Sequence, residues 1–327
     1  MALDIKSVLV LDSVGTKCTD ILVAHGFLVT KRWALTELEL MEIIEDYDAL
    51  VVQSFTKVTI NVIRFALNLK VIVSTSAYFN NIDIFAAMAK KIGVINSPRS
   101  SVISTAEFCC GLLMTLARNL ITATATYRAG VYDQTLITGN ELYGSTLALI
   151  GIGDVAKEVA LRMNAFGMRI IGYDESMSSM QSRRFFVNKM RLTSIWPLAD
   201  YIILFAPPFA TSRIYITSDV LKMCKTGVKI IIMGHIGPYQ SREIYNGLLA
   251  GQIGSAAFDI YDDNSNRDVY KVAMFQHPAV IITKNLATQT EESLERGGQE
   301  AAEQLVNLCK PGTFTIPPSI IVRTDGM

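Results

Sequence analysis

The chain has 327 residues, 50% of them hydrophobic, with 30 Lys and Arg set against 30 Asp and Glu for a formal net charge of zero. That length buries a large core and predicts two domains, and the composition excludes a disordered chain. The balanced charge gives no field for nucleic acid or an acidic membrane. Met1–Lys6 carries charges of both signs with no signal-peptide apolar region, and apolar runs such as Tyr201–Ala206 are too short for a bilayer, so the expectation is a cytoplasmic protein without membrane or nucleic-acid partners.

In chain order, short apolar strands are predicted at Val8–Leu11, Leu28–Thr30, Ala49–Val52, Val71–Val73 and Val94–Ile95. Helical patterns lie between them at Thr16–Ala24, Thr36–Glu45, Thr59–Leu67 and Ile82–Lys91. Thr36 with Glu39 reads as a capping box, and Gly93 stands where a helix would stop. A long helix is expected from about Ser104 to Ala125, opened by a second capping box, Ser104 with Glu107, and crossing between domains. Later strands are predicted at Tyr201–Phe205, Val228–Met233, Ala256–Asp259 and Val280–Ile282, with helices near Ser218–Cys224 and Arg242–Ala250. A last amphipathic helix, Glu291–Leu308, should pack back on the first domain, and the tail after Pro311 should be irregular. Alternation of strands and helices from end to end predicts an α/β fold with parallel sheets covered by helices.

Between the long helix and the later strands lies the most informative stretch. Leu147–Ile150 reads as a strand, Gly151-Ile152-Gly153 as a turn, Val155–Phe166 as a helix ended by Gly167, and Ile170–Tyr173 as a strand closed by Asp174. This is the G-x-G-x-x-G/A dinucleotide fingerprint with an acid about 20 residues on. Gly151 allows the turn, Gly153 lets the backbone approach a diphosphate at the helix N-terminus, Ala156 lets helix pack on sheet, and Asp174 is placed to hold the ribose hydroxyls of NAD.

The other polar residues read more plainly. Five cysteines, at 18, 109, 110, 224 and 309, have no C-x-x-C spacing and suit reduced thiols; no metal site is expected. His25 and His277 lie near element ends and read as surface or capping residues.

Several strings resemble the phosphoglycerate dehydrogenase branch of the D-isomer-specific 2-hydroxyacid dehydrogenases. They include Thr56-Lys57-Val58-Thr59, Ala106-Glu107, Glu158-Val159-Ala160, Arg162-Met163, Phe166-Gly167-Met168, Ile171–Asp174, Ile195–Asp200 and Ala256–Asp259. The resemblance implies two Rossmann-like, doubly wound parallel-sheet domains. The cofactor domain, 99–285, is inserted into a discontinuous substrate domain, 1–98 with 286–327. It also implies a dimer formed largely through the cofactor domain.

The family moves a hydride between a 2-hydroxy acid and NAD with a base, a carboxylate that tunes it and a carboxylate-binding arginine. Here His235 stands at the arginine position, Asn264 at the glutamate position and Asn285 at the histidine position. On the substrate side, Gln53 and Ser74 stand where the family carries arginines, and Ser76 and Tyr78 replace glycines of the carboxylate-gripping loop. Each charge-assisted bond to a phosphate or carboxylate contributes roughly 1.5–3 kcal/mol, so losing several removes the usual substrate.

On the cofactor side Gly151, Gly153 and Asp174 persist, as does Asp259, which in the family faces the nicotinamide carboxamide. Asp154 replaces an arginine beside the diphosphate, and the H-T-P loop reads Phe205-Ala206-Pro207. A carboxylate at Asp154 repels phosphate and competes for the helix N-terminus, so NAD binding is expected to persist, weakened. His235 is either a histidine filling the arginine's volume or a new base paired with Asp262 or Asp263. A one-residue slip in that turn is a second route by which either acid replaces the glutamate. The expectation is a diverged copy acting by binding, as a homodimer or beside an active homologue. The alternatives are an active NAD-dependent oxidoreductase on 3-phosphoglycerate or a changed 2-hydroxy acid, and a protein-binding module on the same fold.

Overall fold

Along each central strand, successive apolar residues fall alternately into two cores, as the two-residue period of a strand requires when both faces are covered. The computed structural model describes residues 3–77, 79–131, 133–206, 214, 216–234, 236, 238–260, 268–310 and 320–321. The chain divides into two compact units, Met1–Ser104 with Thr288–Met327, and Thr105–Ala287.

Unit 1 runs β1 (Ser7–Leu11), α1 (Thr16–Ala24), β2 (Leu28–Arg32), α2 (Glu37–Ile43), β3 (Ala49–Val52), α3 (Ile60–Phe65), β4 (Val71–Ser74), α4 (Ile84–Ala89) and β5 (Gly93–Ile95). Unit 2 holds most of α5 (Val102–Ala117), then α6 (Leu120–Arg128), α7 (Gln134–Ile137), β6 (Thr146–Ile150), α8 (Asp154–Ala165), β7 (Arg169–Tyr173), α9 (Ser179–Arg183) and β8 (Asn188–Lys189). It continues through α10 (Leu192–Ile195), β9 (Tyr201–Ala206), α11 (Ser218–Met223), β10 (Val228–Gly234), α12 (Pro238–Leu249), β11 (Ile253–Ile260), α13 (Val269–Phe275) and β12 (Val280–Lys284). The chain returns to unit 1 with α14 (Glu291–Leu308) and β13 (Ile320–Ile321).

The unit 1 sheet has the order β13-β5-β4-β3-β1-β2 and is parallel except for β13, which pairs antiparallel with β5. Leu9, Leu11, Leu50 and Val52 enter the core under α2 and α3, while Val8, Val10, Ala49 and Val51 enter the core shared with α1 and α14. The unit 2 sheet, β12-β11-β10-β9-β6-β7-β8, is parallel throughout. Leu147, Leu149 and Ile203 pack with α5 and α8 residues; Ala148, Ile150, Ile202 and Leu204 face the other core with Ile244, Leu248 and Met274. In each sheet the strand order reverses beside the first strand of the unit, at β1/β3 and at β6/β9, where α/β sheets open a crevice at the strands' carboxyl ends.

Several expectations are corrected. The single long helix is two helices, α5 and α6, bent by 58°. The break falls at Asn119, in the left-handed region at φ 49°, which a non-glycine residue reaches most readily when it is Asn or Asp. Because α5 begins at Val102, Ser104 sits inside the helix and does not cap it. Gly93 opens β5; the turn after α4 is made by Lys91 at φ 59°. The tail, read as irregular, contributes β13. By contrast Thr36 and Glu39 do form the expected capping box. His25 is the C-cap of α1, its Nδ1 2.8 Å from the Ile21 carbonyl, and His277 Nδ1 accepts from the Ala279 amide. All five cysteines are free thiols. Burial raises Cys18 to about 12, and Cys110 and Cys224 to about 11, so none of these three is poised as a thiolate. No single helix among the described residues is long and apolar enough to cross a membrane.

Two carboxylates tie unit 1 together. Gly15 has no side chain to cap α1, and Glu295 of α14 does so instead, accepting from the Thr16 and Lys17 amides at 3.0 and 3.2 Å. Asp48, just before β3, accepts from the Lys6 and Ser7 amides at 2.8 and 3.0 Å and pairs with Lys70 at 2.8 Å. Burial alone would raise the Asp48 pKa, but the Lys70 contact and the two amides outweigh it and bring it to about 2.

Glu295→Ala should lower stability by about 1 kcal/mol, the usual cost of a lost cap, read as a shift of the denaturant midpoint. Asp48→Asn should cost on the order of 2 kcal/mol at neutral pH. Since the folded pKa lies below the unfolded one, this contribution is complete above the unfolded value and fades as pH falls from about 4 towards 2. Denaturant unfolding at pH 7 and at about pH 3 should therefore show the gap between parent and variant closing; a gap independent of pH would refute the assignment.

Candidate functional site

The fingerprint folds as a strand–turn–helix at the β6/β9 switch point. Gly151 follows β6 at φ 93°, a conformation that disfavours side chains, and its amide donates to the Tyr173 carbonyl at 2.8 Å. Gly153 is the N-cap of α8; no side chain caps the helix there, and a Cβ built on Gly153 meets nothing within 4 Å. The first-turn amides of α8 thus have no side-chain cap at the positive end of the helix dipole, as diphosphate binding requires. Ala156 is 1% exposed and packs in the core with Leu147 and Leu149, the close helix–sheet packing expected of it.

Asp174 follows β7. Its Oδ2 accepts from the Ile152 amide at 2.8 Å, and its Oδ1 from the Ser176 amide, the Ser176 hydroxyl and the Met177 amide at 2.9, 2.7 and 3.2 Å. Burial works to raise its pKa, but these donors outweigh it and hold the pKa below the usual carboxylate value, so Asp174 is an anion at neutral pH. A carboxylate has about four acceptor sites, and Oδ2 keeps one for a ribose hydroxyl. The same bonds lock the Gly151–Gly153 turn to the end of β7.

Asp154 departs from expectation. It is the first residue of α8, 63% exposed, and its Oδ1 pairs with Lys157 at 2.7 Å and not with the helix amides. Its charge is partly neutralised and its competition for the helix N-terminus is absent. Asp259 departs too: it is fully buried, and its Oδ1 accepts from the Thr283 hydroxyl at 2.8 Å and the Leu286 amide at 2.9 Å, its Oδ2 from the Ala287 amide at 3.0 Å. It clamps the end of β12 where the family pattern has it facing the cofactor. Between the clamped residues, Asn285 sits at φ 49° with its amide bonded to the Ile260 carbonyl at 3.0 Å.

In unit 1, Gln53 follows β3 and is 3% exposed, with its Oε1 buried and without a partner among the described residues. Ser74 ends β4, buried; its Oγ accepts from the Ser76 amide at 3.2 Å. That bond engages one amide of the loop that grips a carboxylate in the family pattern. The loop is held from below by Ser97, whose Oγ donates to the Ser74 carbonyl, and by α14, where a Cβ on Gly297 would come within 2.5 Å of the Thr75 carbonyl. Tyr78, Pro207, His235, Asp262, Asp263 and Asn264 lie outside the described residues. No group of metal-ligating side chains occurs among the described residues.

Ser176 and Lys157 were missed in the sequence. Asp174-Glu175-Ser176 carries an Asx-turn pattern, and Asp154 with Lys157 is an i,i+3 pair, so both were readable.

The residues present fit NAD: an uncapped helix N-terminus and a glycine turn after β6 meet an anionic acceptor at the end of the neighbouring β7. Residues 110–287 match the NAD binding domain of the D-isomer specific 2-hydroxyacid dehydrogenases. D-3-phosphoglycerate dehydrogenase of Rattus norvegicus is 34% identical over 95% of this chain, which spans 58% of that relative's length. Hydroxypyruvate reductase of Thermotoga maritima is 32% identical over 90% of this chain and 95% of its own. The apo structure of D-lactate dehydrogenase from Escherichia coli superposes with a TM-score of 0.78 at 24% identity, covering 97% of this chain and all of that one, and so shares the fold. The chain belongs to the D-isomer specific 2-hydroxyacid dehydrogenase family, and NAD is the cofactor of its central domain.

Proposed function

We propose that this protein is a phosphoglycerate dehydrogenase-like pseudoenzyme. It keeps the NAD architecture, lacks the family's Arg/Glu/His set, and works by binding, as a cytoplasmic homodimer or as a subunit beside an active homologue. Asn285 carries the reading. At the position where the family pattern places its histidine, the side chain is an amide, which neither takes nor returns a proton at neutral pH. His235 at the arginine position, Asn264 at the glutamate position, and the neutral Gln53 and Ser74 point the same way.

NAD supplies hydride chemistry when bound. On this chain Gly151, Gly153 and the α8 amides would hold the diphosphate and Asp174 a ribose hydroxyl. The Asp154–Lys157 pair at 2.7 Å sits beside the diphosphate position and weakens binding less than an unpaired carboxylate would. Leu120, Ile121 and Tyr127 on α6, 50%, 54% and 67% exposed, support a subunit contact through the cofactor domain.

Purified protein given NADH with 3-phosphohydroxypyruvate, or with a panel of 2-keto acids, should show no turnover above that of its His235→Ala variant. Oxidation of NADH that disappears in His235→Ala would overturn the pseudoenzyme reading in favour of an active oxidoreductase with a new base. NAD should raise the melting temperature, because a ligand at a hundredfold its Kd adds about 2.7 kcal/mol. Asp174→Ala should shrink that shift, and no shift at millimolar NAD would remove cofactor binding from the proposal.

A further inference from the structure

We propose that unit 1 carries a second ligand site, at its own β1/β3 switch point, that binds a small organic cation: an ammonium group on a flat apolar body. A cavity of about 460 Å³ opens there, lined among others by Asp12, Trp33, Glu37, Phe55, Thr56 and Lys57. Its walls come from the segments after β1, β2 and β3, and it includes neither Gln53 nor the Ser74–Ser76 loop.

Asp12 identifies the ligand chemistry. It is only 8% exposed; its Oδ1 accepts from the Thr56 hydroxyl at 2.6 Å, and its buried Oδ2 has no partner among the described residues. A buried carboxylate oxygen without a donor is costly, and a ligand ammonium is the donor that supplies both charge and hydrogen bonds.

The walls select the rest of the molecule. Trp33 and Phe55, 60% and 64% exposed, both line the cavity and offer two aromatic surfaces to a flat body. Trp33 already accepts a cation: Lys31 Nζ lies 5.1 Å from its ring centroid. Glu37 adds a second negative charge to the lining against the single positive charge of Lys57. The backbone is also committed here, since Asp12 and Ala34 both hold left-handed conformations, at φ 62° and 47°. Such positions persist where the surrounding structure fixes them, and they gather at ligand sites.

The chain's two tryptophans make the test specific, because Trp33 is 60% exposed and Trp196 only 1%. Acrylamide quenching therefore reports on Trp33. Phenethylamine added to the full chain should protect Trp33 saturably, while phenylacetate and 2-phenylethanol should not. Asp12→Asn should weaken phenethylamine by about tenfold, the loss of one charge-assisted bond. Phe55→Ala, at an exposed position that does not threaten folding, should weaken it as well. No saturable protection, equal protection by the anion or the alcohol, or undiminished affinity in the folded variants would overturn the proposal. Because the site lies within unit 1 and uses no NAD residue, the result is independent of the pseudoenzyme reading.

Discussion

Both sheets are buried on both faces, and this constraint decides where polar chemistry can occur. A strand interior offers no room for an unpaired polar group, so carboxylates collect at strand ends, where backbone amides lack a ladder partner. Asp12 after β1, Asp174 after β7 and Asp259 near the end of β11 are three results of the same rule. Each accepts from a neighbouring strand end: Asp12 from Thr56, Asp174 from Ile152, and Asp259 from Thr283 and Leu286. They differ in how much acceptor capacity remains. Asp259 is fully buried with both oxygens engaged, Asp174 keeps a site on Oδ2, and Asp12 keeps a whole oxygen without a partner. That difference, rather than residue type, separates the clamp at Asp259 from the acceptor capacity left at Asp174 and Asp12.

The Asp259 clamp also shows how the backbone around position 285 is held independently of the side chain there. Its bonds fix the backbone on both sides of Asn285, and the Asn285 amide continues the β11–β12 ladder to the Ile260 carbonyl. These contacts are made by backbone and by Asp259, so they do not depend on the side chain at 285. The left-handed conformation there suits Asn well. Position 285 is therefore held in place whether or not its side chain can move a proton. The loop after β4 follows the same logic: Ser97 and Gly297 hold its backbone, while Ser74 binds the Ser76 amide.

Most of the fold was legible because two periodicities carry it. β3, α1 and α14 fall on their expected boundaries, since Ala49–Val52 is a bare apolar run between polar residues and α14 has a clean amphipathic stripe capped by Thr290. What escaped was decided by single backbone conformations. Asn119 breaks an apolar run whose pattern continues through it, and Ser104 with Glu107 matches a capping box within a helix that has already begun. At the site, the fingerprint residues were readable because their spacing is local. The orientation of Asp154 was not, because its choice of Lys157 over the helix amides is a rotamer choice. Nor was the Asp12–Thr56 bond, which joins residues 44 apart through the order of the strands.

Magnitudes show why, on the proposed reading, cofactor binding and turnover separate in this chain. The uncapped N-terminus of α8 favours an anion by roughly 0.3–1 kcal/mol, up to about 2 when partly buried. Against it stands an exposed carboxylate already paired with Lys157. The Lys157 ammonium offsets part of the Asp154 charge, so this carboxylate opposes an anion less than an unpaired one would. On that reading the absence of a general base has no such offset, since positioned proton transfer contributes about a hundredfold to ten-thousandfold in rate and a neutral amide supplies none of it. On the proposed reading the two sides of the cofactor therefore differ in consequence: a change beside the diphosphate tunes affinity, and changes at the proton-transfer positions remove a step.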